Sequence, residues 1–342
     1  MSDLIGWVPF DLSWRSESTC AQLDRIAWLY CGGVSFSEAF FLQTIDRVHS
    51  ETQQDIIYAK PDVFSDRAGP SFDYRPAGLI FHTSRCGSTA VANGLKCCDN
   101  TQVVSEYWPL TQYLWRTLLD PVLETVSEAR DLDTLAVKTA VWCLGRCRSG
   151  SDENVVLKLT SSSLHSLAEI KRIWPEVPCL AVIRDPLEIA QASLRGGGWM
   201  GLKQDAAKGA YLAGVIPGGP NSVAEVSDEE YAARVVGNYL AIIAENLSSF
   251  DAIVRHDNLS GSTIIDAASL FNLAAPVSSK VDKVLSLDAK SNGRMPYPQR
   301  RVSTASDGLV AEVNRYARGP YEEIISRLRL GKVIERRLHA HG

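Results

Sequence analysis

The chain lacks several patterns that would assign it to a common class of protein. None of the eight cysteines in its 342 residues forms a Cys-x-x-Cys pair, which excludes the usual zinc-ribbon spacing. The cysteines also do not form the dense framework of a small secreted domain, so we expect free thiols in a reducing compartment. The formal net charge is −5 and the sequence pI is about 5.8. Because such a chain has no global attraction for nucleic acid, we expect no nucleic-acid partner.

Long hydrophobic runs are absent as well. The most apolar early stretch, residues 26–44, is interrupted by Gly32, Gly33 and Glu38, so it does not predict a membrane span. The first seven residues lack the basic and apolar regions of a signal peptide. From the sequence alone we therefore expect a cytoplasmic protein.

The most informative stretch is residues 79–95, which predicts a short apolar strand, a tight turn and a helix. Backbone N–H groups at a helix start lie at the positive end of the helix dipole and bind anions, phosphate above all. Gly87 allows close approach of the backbone, Ser88 and Thr89 add hydroxyl donors, and Arg85 adds a fixed charge. The stretch lacks the lysine of a Walker A loop, so it fits ordinary ATP or GTP hydrolysis poorly. The alternative is a plain strand-to-helix turn with a chance basic residue.

Cys86 lies inside this turn. A positive local potential favours the thiolate form of cysteine, so we expect a thiolate if the turn binds anions. A redox or catalytic role for Cys86 is the less favoured interpretation, and an ordinary free thiol is the more favoured one.

Strand and helix patterns alternate beyond residue 78. Apolar strands are predicted at residues 79–82, 101–105, 155–158, 179–183 and 252–255, and helices at residues 88–96, 110–130, 164–174, 187–194, 229–249, 263–274 and 307–329. This alternation predicts an α/β fold with a central parallel sheet covered by helices on both faces, in three layers. The aromatic-rich residues 1–76 are expected to form a packed N-terminal extension with a helix at 37–46, and residues 77–342 the α/β domain. The glycine-rich residues 196–220 predict a lid on the substrate side, or else a floppy surface loop.

Three further polar residues close predicted strands. Arg184 follows an apolar strand as Arg85 does, and ligands of open parallel sheets bind beyond the carboxyl ends of the strands. Two arginines at one edge suit a ligand with two separate anionic groups, although Arg184 and Asp185 could instead form a self-satisfied ion pair. Glu106 beside a polyanion is costly unless it serves as a base or binds a substrate group; the alternative is a solvated glutamate. Lys158 is flanked by apolar residues and needs a partner, which an anion at the strand end would supply.

Together these motifs resemble the sulfotransferases that use 3′-phosphoadenosine 5′-phosphosulfate (PAPS). Residues 83–89 are similar to that family's P-loop-like Lys/Arg-x-Gly-Ser/Thr-Thr motif, and residues 184–186 are similar to its Arg-Asp/Asn-Pro motif. The family serine falls eight residues after the arginine, where this chain has Ala192, and Ser193 is the neighbouring candidate. The resemblance implies a P-loop NTPase-like sulfotransferase fold and a cofactor site formed by Arg85, Cys86, Gly87, Ser88, Thr89, Arg184, Ser193, Lys290 and Arg294.

The resemblance also implies an activity, the transfer of a sulfuryl group to a hydroxyl or amine of a small-molecule or carbohydrate acceptor. Glu106 would then act as the general base, with Arg85 and Lys158 stabilising charge, and no metal is required. The alternatives left open are a P-loop kinase that uses ATP and magnesium and a non-catalytic nucleotide-binding protein. A homodimer is one of the assemblies left open.

Overall fold

The computed structural model describes residues 4–15, 21–65, 74–120, 123, 127–148, 153–215, 223–291, 295–296 and 304–329. Its central element is a parallel sheet of five strands in the order β5-β6-β4-β7-β8. These strands are β4 (Gly78–His82), β5 (Thr101–Ser105), β6 (Asn154–Lys158), β7 (Cys179–Ile183) and β8 (Ala252–Arg255). Each was predicted within one residue. The first strand of this sheet therefore lies in its middle, between β6 and β7.

Helices cover both faces of the central sheet. They are α3 (Ser88–Leu95), α4 (Trp108–Leu119), α5 (Ser127–Arg146), α6 (Leu167–Ile173), α7 (Pro186–Ser193), α8 (Ala206–Ala213), α9 (Asp228–Glu245), α10 (Gly261–Leu270), α11 (Ser278–Leu285), α12 (Asp307–Tyr316) and α13 (Arg318–Arg329). Successive strand residues point to opposite faces, so Ile80 packs with α3 and α10, whereas Leu79 and Phe81 pack with α5 and α9. The predicted three-layer α/β/α arrangement is thereby confirmed.

The N-terminal extension forms a small antiparallel sheet that the sequence analysis did not predict. In this sheet β1 (Trp7–Arg15) pairs with β2 (Gln22–Tyr30), which pairs with β3 (Ile57–Ala59). Helix α1 (Phe41–Thr52) and helix α2 (Asp62–Ser65) flank the last strand. The extension packs on the main core, because Val8, Leu29 and Phe41 belong to the same buried cluster as Leu79. The domain boundary at residue 76 stays a prediction.

Several helix predictions were wrong in their bounds. The helix predicted at 164–174 begins only at Leu167, and those predicted at 229–249 and 263–274 end at Glu245 and Leu270. The helix predicted at 110–130 is two helices, since Asp120 precedes a proline and is extended, with φ −108° and ψ 91°. The second, α5, continues to Arg146, beyond the predicted end. The helix predicted at 307–329 is also divided, at Ala317, and the one predicted at 37–46 begins only at Phe41.

The glycine-rich segment is not an irregular loop where the structure describes it. Residues Gly198–Gln204 form a 3-10 helix, and α8 follows. Its last residues, 216–220, lie outside the described residues. Its role as a lid stays a prediction. Within the described ranges, no helix combines the length and the apolar character needed to cross a membrane.

Candidate functional site

A cleft of about 830 Å³ lies at the carboxyl edge of the central sheet. Arg85, Glu106, Lys158 and Arg184, which end or follow four neighbouring strands, all line it. Its volume is in the range of small-molecule sites. The structure thus brings together the four residues that the sequence placed at one sheet edge, while their individual roles stay predictions.

The turn after β4 is held in a strained conformation. Ser84 and Arg85 have φ values of 68° and 47°, in the left-handed region that non-glycine residues rarely adopt. Gly87 (φ 90°) is the N-cap of α3, and no described side chain caps this helix end. A Cβ atom on Gly87 would lie 2.4 Å from Cδ1 of Leu259, so only glycine fits there. Strain of this kind clusters at ligand sites, and it leaves the first turn of α3, including Ser88, open to the cleft.

Two hydrogen bonds of the buried His82 ring hold this turn in place. Burial, followed by the charge of Lys158, lowers the pKa of His82 well below 6.5, so its ring is neutral. Its Nδ1 accepts a hydrogen bond from the Ser84 N–H at 3.0 Å, which leaves the proton on Nε2 to be donated to the Leu159 carbonyl at 2.8 Å. His82 therefore connects the turn after β4 to the end of β6.

Glu106 and Lys158 form an ion pair in the middle of the cleft. Lys158 Nζ lies 2.6 Å from Glu106 Oε1, and the Glu106 N–H donates to the Lys158 carbonyl at 2.6 Å. The lysine side chain is 1% exposed and the carboxylate 31% exposed. The sequence predicted an anion as the partner of Lys158, but in the structure Glu106 fills that role. Glu106 also has a positive φ of 58°, so the backbone is strained to point its carboxylate there.

Other cations gather around this pair. Lys158 Nζ and Lys290 Nζ lie 5.7 Å and 5.8 Å from the centre of the Phe40 ring. Burial, followed by the charges of Arg85 and Lys158, lowers the pKa of Lys290. Arg85 donates to the Gly196 carbonyl at 2.9 Å. The repulsion among these cations would be relieved by a bound anion.

Arg184 connects the two strand-end loops rather than pairing with its neighbour. Its Nη1 donates to the Arg85 carbonyl at 2.9 Å, and its Nε donates to Glu188 at 2.5 Å. Asp185 instead caps α7 and pairs with Arg318 at 2.8 Å. The self-satisfied Arg184–Asp185 pair considered from the sequence is therefore not formed.

Three predicted cofactor residues need separate comment. Cys86 fits the favoured interpretation of an ordinary thiol: burial raises the pKa of this thiol, which donates to the Val182 carbonyl at 3.1 Å. Ser193 is buried and donates to the Ile189 carbonyl at 2.8 Å, so its hydroxyl does not face the cleft. Ala192 and Arg195 line the cleft instead. Arg294 lies outside the described residues.

Several lining residues were not predicted from the sequence. They come from the extension, α4, the turn after β6, and the glycine-rich segment with the residue before it, and all are aromatic or polar except one leucine: Phe40, Trp108, Thr111, Trp115, Thr160, Ser161, Ser162, Arg195, Trp199, Leu202 and Lys208. The spacing of positions 108, 111 and 115 is that of one helix face and could have indicated a shared surface. Among the described residues, no three His, Cys, Asp or Glu side chains are grouped to hold a metal ion.

Comparison with known proteins gives little direct identification. No protein-family model matches the chain, and no curated protein matches it. The structure is similar to the crystal structure of a sulfotransferase from Alicyclobacillus acidocaldarius, with 12% sequence identity and a TM-score of 0.45. The similarity covers 75% of this chain and 96% of that one. At this level it assigns neither an activity nor a ligand.

Proposed function

We propose that this protein is a sulfotransferase that uses PAPS as the sulfuryl donor and a small hydroxyl compound as the acceptor. One observation carries the proposal: the Glu106–Lys158 pair lies in the same cleft as the strained turn 83–87 and Arg184. Anion-binding groups thus surround a carboxylate that is partly open to the cleft. An amine acceptor, a cytoplasmic location and a homodimer stay predictions.

The donor set of the cleft fits a ligand with two anionic ends. Arg85, Lys158, Lys290 and the first turn of α3 would hold the 5′-phosphosulfate, because three cations and a helix start meet there. Arg184 would hold the 3′-phosphate, since it lines the same cleft from the neighbouring strand end. Its guanidinium is oriented by Glu188 and by the carbonyl of Arg85.

Different residues would perform different parts of the transfer reaction. Bound PAPS supplies a sulfuryl group on a phosphate leaving group. Glu106 accepts the proton of the acceptor hydroxyl as the new O–S bond forms and the bridging S–O bond breaks. Lys158 orients Glu106 through their 2.6 Å contact. Arg85 and the loop amides stabilise the charge that develops on the departing phosphate oxygen, and each such donor is typically worth about 3–4 kcal/mol.

Calorimetric titration with 3′,5′-adenosine bisphosphate, without metal, tests the donor site. We expect tight binding that falls about 100-fold in Arg184→Ala, because charged hydrogen bonds to the 3′-phosphate are lost. Arg327→Ala is the matched control, since Arg327 pairs with Glu323 on α13 and does not line the cleft. Magnesium-ATP should bind weakly.

Other outcomes would identify the alternatives. No binding of the bisphosphate would contradict the proposal. Tighter binding of magnesium-ATP would favour a kinase. Bisphosphate binding without transfer to any hydroxyl or amine acceptor would indicate a non-catalytic nucleotide-binding protein.

A further inference from the structure

One side of the cleft is an aromatic wall that begins beside Glu106. Trp108, Thr111 and Trp115 lie on one face of α4 and line the cleft. The Trp108 indole N–H donates to Asp11 at 3.1 Å, so its ring is held by the N-terminal extension and offers the cleft no donor. From Trp108 to Trp115 the helix rises about 10 Å. The aromatic wall is therefore about as long as two fused or linked aromatic rings.

Apart from the charged Arg195, the other surfaces of this part of the cleft are apolar or carry hydroxyls. Trp199 is 5% exposed and packs edge-on against Tyr239, which fixes its position. Leu202 and Phe40 complete the apolar lining, and Thr160, Ser161 and Ser162 add hydroxyls. Among the described residues that line the cleft, none is Asn or Gln. A sugar, with a hydroxyl on nearly every carbon, would leave most of its hydrogen bonds unmade against such walls.

A cation, Lys208, lies at the far end of the wall. Lys208 Nζ is 5.8 Å from the centre of the Trp115 ring. Its Nζ lies 3.4 Å from Oδ2 of Asp205. The side chains of Lys208 and Asp205 are 34% and 40% exposed, respectively. An exposed pair of this kind contributes about 1 kcal/mol or less, so a ligand carboxylate can compete for the lysine. The cations that face the donor lie elsewhere, around the turn after β4.

From this arrangement we propose that the acceptor is a flat, apolar hydroxy acid. Its aromatic body lies along Trp108 and Trp115, its hydroxyl meets Glu106, and its carboxylate meets Lys208 beyond Trp115. This inference rests on the proposed function for the direction of transfer, but the aromatic wall and Lys208 do not depend on it. Lys208 thereby selects acceptors by charge.

Two matched probes test the inference. They are 4′-hydroxybiphenyl-4-carboxylate and its neutral carboxamide, with methyl β-D-glucoside as the saccharide probe. Binding is followed by quenching of tryptophan fluorescence, and transfer by kcat/KM with PAPS. We expect the carboxylate to be favoured over the carboxamide about tenfold in both measurements, because only the carboxylate forms a charged hydrogen bond with Lys208. Lys208→Gln should remove this preference.

Lys203→Gln is the control, because Lys203 pairs with Asp228 at 2.6 Å and does not line the cleft. It should keep the tenfold preference, and both variants should bind the adenosine bisphosphate as the unaltered protein does. Equal binding of the two biphenyls, an undiminished preference in Lys208→Gln, binding of neither biphenyl, or stronger binding of the glucoside would each overturn the inference. Failure of the proposed function is a separate result, namely no bisphosphate binding and no transfer, and the fluorescence titration still decides the acceptor class.

Discussion

The two ends of the cleft differ in how they are held and in what they offer a ligand. At the donor end, Ser84, Arg85 and Gly87 have positive φ values and are surrounded by cations. At the acceptor end, Trp108 and Trp115 lie on a regular helix and present flat apolar surfaces. Glu106 lies where the two ends meet. Under the proposed function, charge and backbone strain would serve a fixed, polyanionic donor at the first end, and packed aromatic rings would serve the choice of acceptor at the second; the two are called the donor end and the acceptor end.

Substitution of the residue between the two ends should have the largest effect. In Glu106→Gln the proton acceptor is lost while both ends remain, so kcat should fall about 10²–10⁴-fold with bisphosphate affinity within about threefold of the original. Steady-state kinetics and calorimetry measure the two quantities. Thermal unfolding should show some loss of stability, since Lys158 loses its carboxylate. Asp288→Asn, at the other carboxylate that lines the cleft, is the matched control. A near-normal kcat in Glu106→Gln would remove this residue from the mechanism.

A change confined to the donor end should affect donor binding more than acceptor binding. Gly87→Ala places a Cβ 2.4 Å from Cδ1 of Leu259 at a residue whose φ is 90°, so the turn is strained and bisphosphate affinity should fall about tenfold or more. Gly33→Ala provides the control, because Gly33 also has a positive φ of 77° but open space around it. If both variants bind the bisphosphate equally well, the turn does not form the donor site.

A change confined to the acceptor end should do the reverse. Asp11→Ala removes the acceptor of the Trp108 indole N–H and of the Gln112 amide, which donate to it at 3.1 Å and 2.8 Å. We expect KM for a biphenyl acceptor to rise about three- to tenfold, with bisphosphate affinity unchanged. Asp24→Ala serves for comparison, since Asp24 pairs with Arg15 at 3.8 Å on the exposed surface of the same sheet. Equal KM values in the two variants would show that the extension does not position the wall.

The smallest expected effect is a pH dependence of the free energy of unfolding, which arises from His82 at the donor end. The pKa of His82 is lower in the folded chain than its usual 6.5, so below about pH 6.5 the unfolded chain binds a proton that the folded chain does not. The free energy of unfolding should therefore fall as the pH drops from about 6.5 to 5, by up to about 1.4 kcal/mol per pH unit for this group. Urea unfolding at several pH values gives the slope of the unfolding free energy against pH, for the original protein and for His82→Asn. His165, whose pKa burial lowers to about 4, contributes in both proteins. Identical slopes would contradict a neutral, buried His82.

The donor end was predictable because its parts are contiguous in sequence. An apolar strand, a glycine and a helix start at residues 79–89 specify the turn locally, and the alternating strands place Arg184 and Glu106 at the same edge. The break at Asp120 was also available in the sequence, through the following proline.

The acceptor end was not predictable in the same way, because distant segments assemble it. Packing of the extension, which carries no recognisable motif, brings Phe40 to the cleft and Asp11 to the indole of Trp108. Other contacts depend on which of several possible partners a side chain pairs with in the folded chain. Arg184 selects Glu188 one turn along α7 because Asp185 is occupied by the helix cap and by Arg318. Such choices depend on the assembled structure rather than on local sequence.

The most direct test of this account is a transfer reaction with the donor and acceptor in one tube. PAPS labelled in the sulfuryl group is incubated with the protein and 4′-hydroxybiphenyl-4-carboxylate, without metal, and both products are followed by mass spectrometry. The account predicts labelled aryl sulfate and adenosine bisphosphate in equal amounts, and at least about 100-fold less of both from Glu106→Gln over the same interval. Unchanged PAPS, together with transfer to the same acceptor from ATP and magnesium, would contradict it.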